Sequence, residues 1–188
     1  MTILTESKIW TDEEFIVLSN DGHRYELVDG ELVDMGNSGM EHGYIACLLV
    51  AELTVFVRQR QLGAVWDSST AFTLKNGNKR SPDIAFIGRE RLQGLSRPPQ
   101  GFFEGAPDLV VEILSPGNTV EEMHRKIVEY FENGTRLLWK IDPSERCILV
   151  YQSPEPERLL RMGDQLEGGD VVPGFSLAVA ELFEEWDF

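Results

Sequence analysis

Ala106-Pro-Asp-Leu-Val-Val-Glu-Ile-Leu114 is an apolar run with one carboxylate near its centre. Its length, its β-branched content and the prolines on either side predict a buried strand. A glutamate flanked by Val110, Val111, Ile113 and Leu114 loses its water on folding. That loss is costly unless a cation or hydrogen bonds replace the water. A second run, Ser81-Pro-Asp-Ile-Ala-Phe-Ile87, puts Asp83 at the start of another strand.

Side chains alternate across a strand, so Asp83, Ala85 and Ile87 share one face, and Asp108, Val110, Glu112 and Leu114 share another. If the two strands are neighbours and these faces coincide, Asp83 and Glu112 form a pair able to hold one Mg²⁺ or Mn²⁺. Hard divalent cations take carboxylate oxygens, and Mg²⁺ keeps several waters besides. An ion so held polarises a phosphate and lowers the pKa of a bound water. A nearby amine would stabilise negative charge developing on phosphate oxygens. No lysine follows Glu112 directly; the nearest downstream is Lys126.

Outward from these strands the order is regular. Thr11-Asp-Glu-Glu14 opens a helix with a capping-box pattern, ending in Ser19-Asn-Asp-Gly22. Arg24–Val28 and Glu31–Met35 flank Asp29-Gly30, a hairpin signal. A helix over 41–61 is apolar on most sides and is expected to be largely covered, with Cys47 as a small core residue. A strand over 65–74, a polar turn over 75–80 and the Asp83 strand follow. A long connection over 88–106, with a short helix at its start, leads to the Glu112 strand. Asn118 or Thr119 caps a helix over 120–133, closed by Gly134. A hairpin over 136–152, short strands at 158–162 and 171–172, and a helix over 179–184 complete the chain.

The 188 residues are read as one domain with a core over about 41–152, an N-terminal helix-hairpin extension over 1–40 and a tail over 153–188. Two cysteines without metal-ligand spacing, and no basic-then-apolar N-terminal segment, lead to the expectation of a soluble cytoplasmic protein without a membrane partner. The net charge of −15 argues against a broad nucleic-acid-binding surface, because phosphate contacts call for a basic footprint.

The order helix-strand-strand-strand-helix-strand, with Pro82-Asp83 opening one strand and Glu112 in the next, resembles the PD-(D/E)XK nuclease superfamily. Within it the chain resembles the Uma-type restriction-endonuclease family. The matching segments are Tyr25-Glu-Leu-Val-Asp-Gly-Glu-Leu32, Glu41-His-Gly43, Ser81-Pro-Asp-Ile84, 106–116, and Lys126, Tyr130 and Gly134 at four-residue spacing, ending in Trp139–Pro143. They cover about residues 23–183.

The resemblance implies an α/β, restriction-endonuclease-like fold: a mixed sheet flanked by helices, preceded by a helix and hairpin. It implies Mg²⁺-dependent endonuclease activity on nucleic acid, DNA in the first place, and a homodimer. By position, Asp83 and Glu112 would bind the metal. The superfamily's lysine two residues after the glutamate is Leu114 here, a departure; Lys126 stands where the family carries the amine on the following helix. Glu26 is similar to the family's additional acidic residue, and His42 occupies a recurrent histidine position.

Structural alternatives stay open beside these roles. Asp83 sits where aspartate commonly ends a turn, and Glu112 would be satisfied by any buried lysine or arginine. By periodicity Lys126 lies on the flank of the stripe Val120, Met123, Ile127, Tyr130 and Phe131. There it could form a surface pair with Glu122, worth about 0.3–0.5 kcal/mol. His42 could simply make one hydrogen bond at a helix start, and Glu26 could pair with Arg24. The competing function is a catalytically inactive binding or structural protein on a nuclease scaffold.

Overall fold

The computed structural model describes residues 10–19 and 24–185. The segments 1–9 and 20–23, which include the expected end of the first helix, and Trp186–Phe188 lie outside the described residues.

The described residues open with α1 (Asp12–Ser19), β1 (Tyr25–Val28), β2 (Glu31–Asp34) and α2 (Met40–Arg60). It continues through β3 (Gly63–Asp67), β4 (Phe72–Thr73), β5 (Lys79–Arg80), β6 (Ile84–Gly88), a 3-10 turn (Arg89–Leu92), β7 (Phe103–Glu104) and β8 (Leu109–Ile113). Then come α3 (Val120–Glu132), β9 (Leu137–Asp142), β10 (Cys147–Tyr151), β11 (Pro156–Leu160), β12 (Gln165–Glu167), β13 (Ser176–Ala178) and α4 (Val179–Leu182).

The central sheet has six strands in the order β11-β10-β9-β8-β6-β3. Strands β8 and β9 run parallel, as the intervening helix α3 requires; the other pairs are antiparallel. Ile45, Leu49, Leu53 and Val57 of α2 pack on the face formed by Ile84, Phe86, Leu109, Val111 and Ile113. Met123, Ile127 and Tyr130 of α3 pack with Val110 and Leu138, which face the other way. The mixed sheet is thus flanked by helices, as expected. Each fully buried aliphatic side chain in these layers contributes about 1.5–3 kcal/mol relative to exposure.

The N-terminal hairpin forms as its sequence predicts. Asp29 and Gly30 both have positive φ, 53° and 83°, which suits a turn matching the strand twist. Thr11 and Glu14 form the expected capping box. The hairpin joins a second, five-stranded sheet in the order β2-β1-β5-β4-β7.

That sheet corrects the reading of 65–80. The strand expected over 65–74 is two strands, β3 and β4, in different sheets. Asp67 Oδ1 accepts bonds from both the N–H and the hydroxyl of Ser69, and its carbonyl accepts from Thr70 N–H, so the chain turns out of the central sheet there. The expected polar turn over 75–80 ends in strand β5, where Lys79 and Arg80 are buried. In the tail, Val171-Val172 is no strand. Both N–H groups bond back to Gly168 O, and the strands form on either side as β12 and β13.

Helix α2 differs from expectation as well. One face is buried, but Met40, Tyr44, Cys47, Ala51 and Val55 are exposed. Among the described residues the packing is on the opposite face, so Cys47 is an exposed residue and not a core one.

Candidate active site

Strand register brings the two carboxylates together. Ile84 is paired with Val111 and Ala85 with Val110, so the antiparallel ladder, continued by one residue, sets Asp83 across from Glu112. Directly opposed residues share a face. Asp83 Oδ2 accepts the N–H of Ile113, the residue after Glu112, at 2.8 Å. Both carboxylates line one pocket of about 300 Å³.

Lys126 enters the same pocket from α3. Thr119 caps that helix and Glu122 completes the capping box, so Glu122 is engaged with the cap and not with Lys126. Lys126 is 7% exposed. Its Nζ lies 2.9 Å from Glu112 Oε1, 3.0 Å from Glu112 Oε2 and 3.0 Å from Glu26 Oε1. One helical turn on, the Tyr130 hydroxyl donates to Glu112 Oε1 at 3.0 Å. All four sequence-predicted residues, Asp83, Glu112, Lys126 and Glu26, therefore converge.

The surroundings hold further members. His42, near the start of α2, lies with Nε2 3.1 Å from Asp83 Oδ2. Arg80 NH1 donates to Glu26 Oε2 at 2.9 Å, and Ser81 N–H donates to Glu26 Oε1. Arg80 Nε donates to Glu129 Oε2, while Asn76 and Asn78 donate to Glu129 Oε1. The result is a buried ladder from Glu129 through Arg80 and Glu26 to Lys126 and Glu112. Arg80, Glu129 and Tyr130 were not expected as site residues. Tyr130 had a signal: it follows Lys126 by four residues, hence on the same helix face.

The electrostatics follow from burial and pairing. Burial pushes the Glu112 carboxyl up; Lys126 opposes this, and the charges of Asp83 and Glu26 add to it, leaving it at about 7. Burial acts in the same direction on Glu26, but Lys126, Arg80 and the Ser81 N–H outweigh it and hold Glu26 below its ordinary value. Asp83 behaves likewise: burial raises it, while His42, the Ile113 N–H and Lys126 bring it down. Burial would discharge the Lys126 ammonium, but Glu112 and Glu26 hold its pKa above the ordinary lysine value.

The donor set fits a hard divalent cation. Asp83 Oδ2 is taken by His42 and Ile113, whereas the nearest partner of Oδ1 is Arg24 at 4.0 Å. Glu112 accepts from Lys126 at both oxygens and from Tyr130 at Oε1, leaving lone-pair capacity on Oε2. Among the described residues no group of three or more His, Cys, Asp or Glu forms a metal cage. Two carboxylates plus water and substrate oxygens are a usual environment for Mg²⁺. The pocket is lined by six carboxylates (Glu26, Asp29, Glu31, Asp83, Glu112, Glu122) and four permanent cations (Arg24, Arg80, Arg125, Lys126). A divalent ion would offset that excess.

The family described as "Uma2: Putative restriction endonuclease" matches over residues 12–180. The chain belongs to the Uma2 family. A solved structure, described as a putative nuclease belonging to DUF820 from Anabaena variabilis, is similar to it with a TM-score of 0.78 and 22% identity, over 93% of this chain and 97% of that one. At that identity the likeness shows the fold: a mixed α/β nuclease-type architecture. No curated protein matches this chain. Membership agrees with the resemblance carried by Pro82-Asp83, Glu112 and Lys126.

Proposed function

We propose that this Uma2 family member is a divalent-metal-dependent endonuclease that hydrolyses phosphodiester bonds, with Asp83 and Glu112 as the metal ligands. The observation that carries this reading is that the Lys126 ammonium, from a separate helix, meets the buried Glu112, which stands across the strand pair from the buried Asp83.

A divalent ion at Asp83 and Glu112 would supply Lewis acidity toward a phosphate oxygen and lower the pKa of a water molecule. Lys126 acts as a fixed positive charge. Its raised pKa keeps it protonated at neutral pH, so it donates to developing negative charge on the phosphate and is not a general base. Glu26 stays ionised and, with Arg80, fixes the position of the ammonium. His42 and the Ile113 N–H orient Asp83. Arg24 and Arg125 line the same pocket and supply contacts for backbone phosphates of the substrate. Carboxylates outnumber these cations in the pocket, so attraction of a polyanion to this site depends on the bound ion.

The test is cleavage of single- and double-stranded DNA, and of RNA, with Mg²⁺ or Mn²⁺, comparing the wild type with Asp83→Ala and Lys126→Ala. Metal-dependent cutting by the wild type alone is expected. If the wild type cuts no better than the variants on every substrate and metal, the nuclease reading is abandoned.

A further inference from the structure

Burial orders the residues that line the active-site recess. Glu26, Asp83, Glu112 and Lys126 are buried at its floor. Asp29, Glu31, Asn118, Glu122 and Arg125 are exposed around its mouth. Among these exposed lining residues, three carboxylates stand against one guanidinium, drawn from the β1–β2 hairpin and the first turns of α3. Between floor and mouth the hairpin side is apolar. Glu26 pairs with Val33 and Val28 with Glu31, and the Met35 N–H donates to Arg24 O, which carries the pairing on. Opposed residues share a face, as do alternate ones along a strand. Val28, Val33 and Met35 therefore lie on the hairpin face that brings Glu26 to Lys126, and all three line the recess. Val33, directly across from Glu26, is 37% exposed. An apolar shelf thus stands beside the ammonium and the carboxylates.

We infer that this recess takes an unpaired nucleotide, so that the protein cuts single-stranded stretches of nucleic acid in preference to intact duplex; the inference rests on the nuclease reading of the same site. The scissile phosphate has to descend to buried carboxylates through a space of about 300 Å³ between the hairpin and α3. The nucleotide that carries it brings its base and sugar against Val28, Val33 and Met35. A duplex offers base edges in its grooves and keeps the base faces stacked, and extruding a base costs free energy. An unpaired strand presents those faces without that cost. Charge at the mouth acts in the same direction. A duplex carries one negative charge per about 1.7 Å of axis, against about 3.4 Å for each strand. It therefore meets the greater repulsion from Asp29, Glu31 and Glu122.

The experiment compares initial cleavage rates on a single-stranded DNA, the same sequence fully paired, and a duplex with a central unpaired bubble, with Asp83→Ala as the blank. The single strand and the bubble are expected to be cut at least about tenfold faster than the paired duplex, with cuts in the bubble substrate confined to its unpaired stretch. Val33→Ser is expected to raise KM for the single strand about fivefold with kcat kept within about twofold, the mark of lost binding and not of lost chemistry. Val33→Ile should keep the wild-type KM. Bis(4-nitrophenyl) phosphate reports phosphodiester hydrolysis without a strand. If it is hydrolysed while the paired duplex is cut as fast as the single strand, or while KM is indifferent to Val33→Ser, the inference is overturned and the nuclease reading stands. Hydrolysis of none of these substrates would overturn both.

Discussion

Lys126 Nζ lies 2.9 Å from Glu112 Oε1, although Glu112 stands in a central strand and Lys126 is fourteen residues on, in the middle of the next helix. The pair is buried on both sides, so each charge depends on the other. Replacing Lys126 by Met is expected to leave Glu112 and Glu26 without their shared cation and to destabilise the metal-free protein by about 3–5 kcal/mol at pH 8. Urea unfolding in EDTA measures this. Added Mg²⁺ should recover part of the loss, but cleavage should remain at least about 100-fold below wild type, because the charge on the developing anion is gone.

Glu112 sets a pH dependence of stability. Its folded value of about 7 lies above the ordinary 4.5, so between these values the folded state holds a proton that the unfolded state has lost. Stability then falls as pH rises through that window, by about 3 kcal/mol for this group alone. Comparing wild type with Glu112→Gln by urea unfolding in EDTA at pH 5, 6, 7 and 8 isolates the contribution. The variant is expected to lack the slope. Because a cation competes with that proton, Mg²⁺ should stabilise the wild type more at pH 8 than at pH 5.5.

Arg80 bridges Glu26 and Glu129, so its removal strands two carboxylates at once. Arg80→Leu is expected to cost about 3–5 kcal/mol. Lysine at the same position should recover only part of that, since it cannot keep both directed bonds. Thermal unfolding of the two variants separates these outcomes. The loss should be smaller in a Glu129→Gln background, where one stranded charge is absent.

Much of the site was legible because its elements announce themselves locally. A single glutamate inside a run of valine, isoleucine and leucine has few structural explanations, and Asp83 opens the neighbouring strand. Lys126 was harder to read: helical period alone puts it on the flank of the apolar stripe, as well suited to pairing with Glu122 as to reaching the sheet. Position within the family pattern, and not periodicity, favoured the second reading. The ladder through Arg80 was illegible because its partners, Glu129 and Glu26, are 49 and 54 residues away. A Lys-Asn-Gly-Asn-Lys-Arg segment has the composition of a solvated turn, and pairing with the N-terminal hairpin and with Glu129 of α3 accompanies the burial of its end. The break after Asp67 did have a local signal, since Asp-Ser-Ser-Thr favours side-chain-capped turns, but the flanking apolar residues masked it. The exposed face of α2 shows the reverse error. Apolar content on several sides suggests burial, while among the described residues one side is buried.

His42 contributes through Asp83, and this separates it from the ligands. Its Nε2 holds Asp83 Oδ2, and the interaction is one of the causes that keep the Asp83 carboxyl below its ordinary range. Removing such an orienting partner typically weakens metal binding about 10–100-fold without removing a donor. His42→Ala is therefore expected to raise the Mg²⁺ dissociation constant by about that factor, with cleavage recovering at saturating Mg²⁺. Asp83→Asn should behave differently. The amide oxygen can still accept the Ile113 N–H, so the fold should persist, but the negative donor is lost and saturating Mg²⁺ should not restore cleavage. Calorimetric titration of the two variants, alongside cleavage measured across Mg²⁺ concentration, distinguishes the roles. Equal and unrescued losses in both would make His42 a direct participant in the chemistry instead.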